Sequence, residues 1–250
     1  MYYFMCFISK SLLFSFFFID IVSVWGYFTD IKSEKGSIMP KVAKDIVEKR
    51  PGEIVTACRK LYKTMTFQEI TLKEISRETS LSRPAIYNYF QTKEEIFLAL
   101  LGDEYSEWCS SLEKLRDDNA SLDTESFADA LASTLKKRET MMKILCMNLY
   151  EIEEHSREEK LVEFKLIYGR SLELVCACLS KFFPKMTEDE KSDFVYKFFP
   201  LMYGIYPYVH PTDKQNKAMK KAGIVPRKTS VYEIAYKAII DFLSKQGGVK

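Results

Sequence analysis

Apolar residues recur at helical spacing along most of the chain, and this periodicity limits the fold more than any other feature. From Ile54 to Leu61, and again near the end of the chain, they follow one another at intervals of three and four residues, as on one face of a helix. No stretch alternates as a half-buried strand requires. With 9 Gly and 8 Pro in 250 residues, helix breakers are few. We therefore predict an all-α fold.

The periodicity also predicts where the helices lie. We expect a first helix from Glu53, with Pro51 and Gly52 marking its start and Lys41, Lys44, Lys49 and Arg50 forming an arm before it. In the C-terminal part we expect Gly204, Pro207 and Pro211 to interrupt a helix and form one wall of a pocket. The longer predicted helices are 93–116, Ser126–Lys137, Glu139–Glu154, Arg157–Phe183, Glu188–Tyr206 and Val231–Lys245.

Residues 1–38 differ from the rest of the chain. Residues 11–28 form an apolar run interrupted only by Asp20, which makes a marginal membrane span. Asp20 would cost about 2.5–3.5 kcal/mol on insertion, and no small-residue cleavage site follows, as a signal peptide needs. EKGSIM (Glu34–Met39) back-translates to GAR-AAR-GGN ahead of an ATG codon, which resembles a bacterial ribosome-binding site. We expect translation to begin at Met39; a membrane anchor is the alternative.

Charge and cysteine content exclude some classes of protein. The net charge of +2 excludes a polycation, so any affinity for nucleic acid must come from a local patch. The six cysteines form no C-x-x-C pair and no cluster with metal-ligand spacing. We therefore predict reduced, mostly buried thiols in a cytoplasmic protein, with no metal and no cofactor.

Two helix-start signals flank a short helix in the segment 53–102. TLKE (Thr71–Glu74) and TKEE (Thr92–Glu95) have the form of capping boxes, in which a threonine caps the helix and a glutamate three residues on reaches back. Between them Ser82 is a favourable N-cap, and proline is tolerated in the first turn that follows. Short helices joined by a three- or four-residue turn form a helix-turn-helix, whose second helix enters the major groove.

The residue types at the start of that second helix suit DNA. Ser82 and Arg83 can donate to phosphate or guanine, and Pro84 and Ala85 are small enough to meet thymine methyl groups. Tyr87, Asn88 and Tyr89 offer hydroxyl and amide groups, while Ile86 and Phe90 supply an inward face. Residues 40–102 hold eleven Lys and Arg against eight Asp and Glu. The alternative is that these short helices only pack, as in any all-α protein.

ITLKEISRETSLSRPAIYNYFQTKEEIFLALL (Ile70–Leu101) resembles the DNA-binding signature of the tetracycline-repressor (TetR) family of bacterial regulators. The resemblance covers about residues 53–102. It implies a three-helix DNA-binding domain at 39–102, a larger helical ligand-binding and dimerisation domain at 103–250, and an inducer whose occupancy moves two DNA-binding domains apart. Its predicted DNA contacts are Thr71, Ser82, Arg83, Pro84, Ala85, Tyr87, Asn88, Tyr89, Thr92 and Lys93, with Thr71 on phosphate and Thr92 and Lys93 anchoring the backbone. Thr66 stands where the family usually has glycine, so we expect a differently shaped turn there.

The C-terminal part is dense in aromatic and methionine residues. Most of them suit a core, while some could line an apolar inducer pocket with a few polar groups. The residues that we predict for this pocket are Tyr150, Phe164, Tyr168, Met202, Tyr203 and Tyr206. The apolar stripe of the last helix predicts a homodimer face, with core packing as the alternative; it comprises Ile234, Ala235, Ala238, Ile239 and Phe242.

No nucleophile has an evident base in the sequence, and no P-loop, H-E-x-x-H or G-x-S-x-G motif occurs. Glu151 and His155, four apart, could form half of a metal site, but a solvated helix end explains them better. We therefore predict no enzyme and no catalytic residue. The predicted protein is a homodimeric regulator, a repressor released from a palindromic operator in double-stranded DNA by a small-molecule inducer. A membrane-tethered helical adaptor is the alternative.

Overall fold

In the computed structural model, the backbone is described for residues 41–244 and side chains for residues 50–244 except Met147. The all-α prediction is confirmed, because this part of the chain holds helices and no strand. Within the described backbone, residues 46–244 belong to one compact unit. The expected start at Met39 and the apolar run 11–28 lie outside the described residues. Within residues 41–244, no helix has both the length and the apolar character needed to cross a bilayer.

Eleven helices succeed one another along the described residues, joined by short connections. In chain order they are α1 (Lys41–Tyr62), α2 (Leu72–Arg77), α3 (Arg83–Ile86), α4 (Lys93–Asp117), α5 (Thr124–Lys136), α6 (Glu139–Met147), α7 (Leu149–Glu154), α8 (Glu158–Phe182), α9 (Glu188–Val209), α10 (Asp213–Lys221) and α11 (Val231–Ser244).

Helix starts follow the capping chemistry of the sequence. The side chains of Thr71, Thr92 and Asp123 each accept a hydrogen bond from the backbone N–H three residues on, at α2, α4 and α5. Full capping boxes open α9 at Thr187 and α10 at Thr212. Each such cap satisfies a backbone donor that the first turn of a helix leaves unpaired.

Three predicted boundaries are wrong. Lys41, Lys44, Lys49 and Arg50 lie within α1 and form no arm before it, and Pro51 is inside that helix. A proline inside a helix removes one backbone donor and crowds the carbonyl four residues earlier, and α1 nevertheless continues across Pro51.

The other two differences concern α6 to α9. The predicted helix 139–154 ends at Met147, because Asn148 leaves helical geometry at φ −143°. Its buried side chain accepts a hydrogen bond from the Tyr62 hydroxyl at 3.3 Å. Gly204 and Pro207 do not interrupt α9, which continues to Val209, and Pro211 follows its end.

The core lies among α4, α5, α8, α9 and α11. Trp108 and Tyr105 of α4 are fully buried. The ring of Tyr105 packs edge-on against Trp108 at 5.9 Å and against Phe164 of α8 at 5.7 Å, and Trp108 lies 6.4 Å from Phe198 of α9. The helices α4 and α8 pack along each other, and a Cβ at Gly102 would lie 3.3 Å from Ile167 Cδ1. Glycine allows this close approach of the two helices.

The described cysteines are free thiols, as predicted. Cys58, Cys109 and Cys178 are buried, whereas Cys146 and Cys176 are half-buried. Burial raises the pKa of the Cys58 thiol to about 12 and that of Cys109 to about 11, so both are protonated at neutral pH.

Candidate nucleic-acid interface and effector region

The helices α2 and α3 and the turn between them form a compact helix-turn-helix. Leu72 and Ile75 of α2 and Leu81 of the turn are buried. The Thr79 hydroxyl donates to the Ser76 carbonyl at 3.2 Å and accepts from the Leu81 N–H at 3.3 Å, which holds the turn closed.

The turn is also attached to α1. The carboxylate of Glu53 accepts hydrogen bonds from the backbone and the hydroxyl of Ser80, the latter at 3.0 Å. These bonds lower the pKa of Glu53, the backbone donor being the larger cause. The position of the turn relative to α1 is therefore fixed by both apolar packing and hydrogen bonds.

The recognition helix predicted for residues 82–89 consists of one α-helical turn, Arg83–Ile86, followed by tighter turns to Tyr89. Ile86 is fully buried and Phe90 is 4 % exposed, so both face inward as predicted. Ser82 occupies the N-cap position, but its side chain makes no capping hydrogen bond. Burial of two side chains, more than helix propensity, holds this short element in place.

The residues predicted to contact DNA from this element fall into two groups. Ser82, Arg83, Pro84, Tyr87 and Asn88 are exposed. Ala85 and Tyr89 are half-buried and pack against the core.

Two of the exposed side chains contact each other. Arg83 Nη2 lies 3.3 Å from the Tyr87 hydroxyl, and the guanidinium lies 5.9 Å from the centre of the Tyr87 ring. Apart from this contact, the exposed polar groups of the element are open to solvent in the described part of the chain.

The three residues predicted to contact the DNA backbone each form hydrogen bonds within the protein. Thr71 is exposed and caps α2. Thr92 caps α4 and its hydroxyl donates to the His155 carbonyl at 3.2 Å. The Lys93 ammonium donates to the Phe67 carbonyl at 2.9 Å and lies 4.1 Å from the centre of the Phe67 ring. An ammonium has three donors, so two remain on Lys93 for a phosphate.

Most acidic side chains of this region are engaged by protein groups. Glu53 binds Ser80, Glu69 binds Thr66, Glu74 binds Thr71 and Arg77, Glu78 binds Lys60, and Glu95 binds Arg157. Meanwhile Lys63 and Lys73 are exposed and have no ion-pair partner among residues 50–244. These two lysines therefore supply positive charge at the surface of this region that no carboxylate of the described residues pairs.

Thr66 adopts no left-handed conformation, because no non-glycine residue among those described has positive φ. Its N–H and hydroxyl donate to the Glu69 carboxylate at 2.7 and 2.9 Å. The turn at Thr66 therefore needs no left-handed residue and is held by this Thr–Glu pair.

Comparison with known proteins matches both halves of this arrangement. Residues 54–100 match the family model described as bacterial regulatory proteins of the tetR family. Residues 102–233, more than half of the chain, match the model described as the tetracyclin repressor-like C-terminal domain. The chain belongs to the TetR family.

Individual relatives of this TetR-family regulator are distant. A 75-residue segment is 33 % identical to an uncharacterized HTH-type transcriptional regulator, YfiR of Bacillus subtilis (strain 168), and spans 30 % of this chain and 37 % of YfiR. The fold is similar to that of a TetR/AcrR-family regulator from Thermobifida fusca, with TM-score 0.54, 13 % identity and coverage of 81 % and 100 % of the two chains. The fatty acid degradation regulator FadR of Bacillus halodurans gives TM-score 0.51, 14 % identity and coverage of 80 % and 99 %.

The start of α4 is attached to the connection between α7 and α8. Glu95 is buried, and its carboxylate accepts hydrogen bonds from Arg157 Nε at 2.6 Å and Nη2 at 2.9 Å, and from the Gln91 N–H at 2.8 Å. Burial by itself would raise the pKa of Glu95, but these hydrogen bonds outweigh it and lower the pKa. With the Thr92–His155 bond, they link the helix-turn-helix to α8 of the regulator.

A second link joins α1 to α4 and α6. Glu104 of α4 is buried and pairs with Arg59 of α1, while Arg138 at the start of α6 lies 3.6 Å from the same carboxylate and contacts Glu107. Such a carboxylate depends on its partners, because an unpaired buried charge is costly.

Lys143 of α6 forms a third link to α1. Its ammonium donates to the Tyr62 carbonyl at 2.8 Å and lies 3.8 Å from the centre of the Tyr62 ring. Burial lowers the pKa of Lys143. Sequence reasoning missed all three links, since their members lie 31 to 81 residues apart and no local pattern pairs them.

Five of the six predicted pocket residues lie inside the helical region. Phe164 and Met202 are buried, and Tyr168, Tyr203 and Tyr206 are half-buried. The prediction for Tyr150 is wrong, because its side chain is 74 % exposed and cannot line an enclosed pocket. It lies in α7, whose one core residue is Ile152.

Tyr105, which is fully buried, and the half-buried Tyr168 and Tyr203 form a cluster of phenol groups from α4, α8 and α9, called here the tyrosine cluster. The rings of Tyr105 and Tyr168 are 5.8 Å apart. Burial raises the pKa of Tyr168 to about 12 and those of Tyr105 and Tyr203 well above the usual value. All three remain protonated donors at neutral pH. Glu153, paired with Lys165 at 3.0 Å, adds to the pKa increase of each.

The predicted dimer stripe of α11 is divided. Ala235 and Ile239 are fully buried within the subunit, so the prediction that they face a partner is wrong. They lie four residues apart on the side of α11 that packs against α5 and α9. Ile234, Ala238 and Phe242 are half-buried, and the ring of Phe242 packs edge-on against Phe194.

The possible half-site of Glu151 and His155 uses no glutamate side chain. His155 Nδ1 lies 2.8 Å from the Glu151 carbonyl at the exposed end of α7. Among the described residues, no group of three His, Cys, Asp or Glu is placed to hold a metal.

Proposed function

We propose that this TetR-family regulator is a repressor that reads a palindromic operator in double-stranded DNA through α3. The observation that carries this proposal is the division of residues 82–90 into a buried pair, Ile86 and Phe90, and an exposed polar face. Arg83 offers a guanidinium that can bind guanine O6 and N7, and Asn88 offers an amide that can bind adenine. Exposed Ser82, Pro84 and Tyr87 complete the face.

Thr71, Thr92 and Lys93 are proposed to fix the register on the DNA backbone. Thr71 is exposed at the start of α2, and Lys93 retains two free donors. Phosphate contacts of this kind position a protein on the duplex without reading sequence. We propose that residues 39–102 form the DNA-binding domain and that Ala85 and Tyr89, being half-buried, act mainly by supporting it.

A homodimer would place two such elements on successive major grooves, about 34–36 Å apart. With Ala235 and Ile239 in the subunit core, we propose that Ala238 and Phe242 of α11 provide the dimer contact. We place the ligand-binding and dimerisation functions in residues 103–250, and the protein in the cytoplasm, where its DNA is. No catalytic role is proposed.

Release from DNA is proposed to follow binding of a small apolar or amphipathic ligand near the tyrosine cluster. Three protonated phenols among buried aromatic rings suit a ligand with an apolar body and a hydrogen-bond acceptor. Glu153 raises the pKa of all three phenols. It lies two residues before His155 and four before Arg157, which bind Thr92 and Glu95 at the start of α4. A ligand that moves α7 would therefore act on Thr92 and Glu95.

The proposed DNA binding is tested by fluorescence anisotropy of the full chain on DNA from upstream of its own gene, with a scrambled duplex as control, across a salt series. We expect tighter binding to the native fragment and a steep salt dependence. Equal, weak binding to both duplexes would count against operator recognition at that site.

The proposed effector region is tested with Tyr168→Phe and Tyr203→Phe, which remove hydroxyls and keep the rings. We expect unchanged DNA affinity and a weaker response to compounds that release the parent protein from its operator. If release is unaltered in both variants, the tyrosine cluster does not bind the ligand.

A further inference from the structure

A groove separate from the tyrosine cluster lies between the end of α9, helix α10 with the connection after it, and the start of α11. Its volume is about 820 Å³. Its walls are largely apolar and include Pro207, Met219, Ile224, Pro226 and Ile234. A volume of this size is typical of small-molecule sites.

The apolar walls are open to water. Helix α10 has no buried residue, and Tyr208 and Ile224 are 75 % and 56 % exposed. Packing within the chain therefore leaves these apolar side chains uncovered. A contiguous exposed apolar surface of this kind usually marks a binding site.

The lining of the groove carries net positive charge, because two cations, Arg227 and Lys237, face one carboxylate, Glu233. Arg227 and Lys237 both line it, and neither has a hydrogen-bond or ion-pair partner among residues 50–244. Glu233 lines it too, but its carboxylate accepts from the Ser230 N–H at 3.0 Å and the Thr229 hydroxyl at 3.1 Å, at the start of α11.

The surroundings have the same sign. Residues 212–229 contain six Lys and Arg and one acidic residue, Asp213. The net charge of this segment is therefore larger than that of the whole chain, which is +2. An occupant of the groove therefore enters a positive field that favours anions.

We propose that this groove binds an amphipathic organic anion, whose apolar body lies on Met219, Ile224 and Pro226 and whose acidic group lies between Arg227 and Lys237. Charge complementarity decides against a second copy of this chain as occupant. In a two-fold dimer the same patch meets itself, which would bring two basic segments together. A neutral apolar ligand would leave both cations unpaired.

The inference goes beyond the proposed function and does not depend on it, because binding is measured on the free protein without DNA. Decanoate, decanol and decyltrimethylammonium, each below its critical micelle concentration, are titrated into the full chain by calorimetry. We expect decanoate to bind and the other two to bind much more weakly. Equal binding of all three would show unspecific adsorption and overturn the proposal.

Two double variants locate the site. Arg227→Gln with Lys237→Gln should weaken decanoate binding about tenfold or more, equivalent to at least about 1.4 kcal/mol. Lys220→Gln with Lys221→Gln removes the same charge from α10 outside the groove lining and should leave affinity nearly unchanged. All four side chains are exposed, so both variants should fold; circular dichroism checks this.

Three results would overturn the proposal. Equal loss in both double variants would mean a general charge effect. Unchanged decanoate binding in the groove variant, with loss in Tyr203→Phe, would place the ligand at the tyrosine cluster. A change in the monomer–dimer equilibrium of Arg227→Glu, measured by light scattering, would identify a second copy as the occupant.

Discussion

Glu95 and Arg157, 62 residues apart, form a bidentate ion pair with the carboxylate fully buried and the guanidinium partly exposed. The pair joins the first turn of α4 to the first residue before α8. Paired charges of this kind are costly to separate when one partner is buried. The helix-turn-helix is therefore attached to the C-terminal helices by a contact that has a definite pH dependence.

We expect Glu95→Gln to lose about 1–3 kcal/mol of stability at neutral pH, the value of hydrogen bonds to a charged group. The pKa of Glu95 is lowered in the folded protein. Its contribution is therefore present above the unfolded value of about 4.3 and lost as the pH falls through the folded value. Urea unfolding at neutral pH and near pH 3 should show a difference from the parent that shrinks in acid. Glu94→Gln, which lacks these partners, is the control.

Arg83→Ala should reduce discrimination between operators by about 1–3 kcal/mol if Arg83 reads a guanine. The measurement is a competition assay with operators altered one base pair at a time. Arg170→Ala removes the same side chain from α8, where Arg170 pairs with Glu113, and should leave base preference intact. An unchanged ranking in Arg83→Ala would assign Arg83 to phosphate or to no contact.

Lys93→Met should have two effects. Without DNA it should lower the melting temperature, because the Phe67 carbonyl loses its donor and the Phe67 ring loses the cation. With DNA it should reduce the slope of log affinity against log salt by about 1, equally for all sequences. Lys63→Met, an exposed lysine of the same region, tests whether any lost charge lowers the melting temperature. An unaltered slope in Lys93→Met would remove Lys93 from the DNA contact.

Ile86→Ala should cost about 2–5 kcal/mol, since the side chain is fully buried beneath a single helical turn. Tyr87→Ala, at the next residue and 45 % exposed, should change stability by no more than about 0.5 kcal/mol. Chemical unfolding followed by circular dichroism compares them. Similar losses in both would mean that α3 is not held by its inward face.

Glu104→Ala should cost about 3–5 kcal/mol, because it leaves Arg59 and Arg138 without their shared carboxylate in a partly buried site. Glu113→Ala breaks a more exposed pair on the same helix and should cost at most about 1 kcal/mol. Thermal unfolding separates the two. A small loss of stability in Glu104→Ala would show that water solvates Arg59 and Arg138 in place of the carboxylate.

Local patterns were sufficient to predict the helical class and most helix limits. Capping residues and apolar spacing act within a few residues, so Thr71, Thr92, Ile86 and Phe90 were placed correctly from sequence. The part of α1 before Pro51 was not predicted, because the proline was interpreted as the start of the helix. The break at Asn148 depends on Tyr62, which is distant in the chain.

The candidate site was predictable in kind but not in detail. The exposed polar side of residues 82–88 follows from residue types, whereas half-burial of Ala85 and Tyr89 depends on how α3 is seated. Burial of Ala235 and Ile239 depends on α5 and α9, so the α11 stripe alone could not separate core from interface. The basic segment 212–229 was visible in the sequence, but the groove beside it requires three elements to meet.

The brevity of α3 has a consequence for how this regulator can change over generations. Its fold depends on the burial of Ile86 and Phe90. The side chains of Arg83, Tyr87 and Asn88 are exposed, and Arg83 contacts Tyr87. The positions proposed to read DNA are thus distinct from those that keep the protein folded. If they read it as proposed, substitutions there redirect the regulator to new genes while folding is preserved, so its targets change on a constant scaffold.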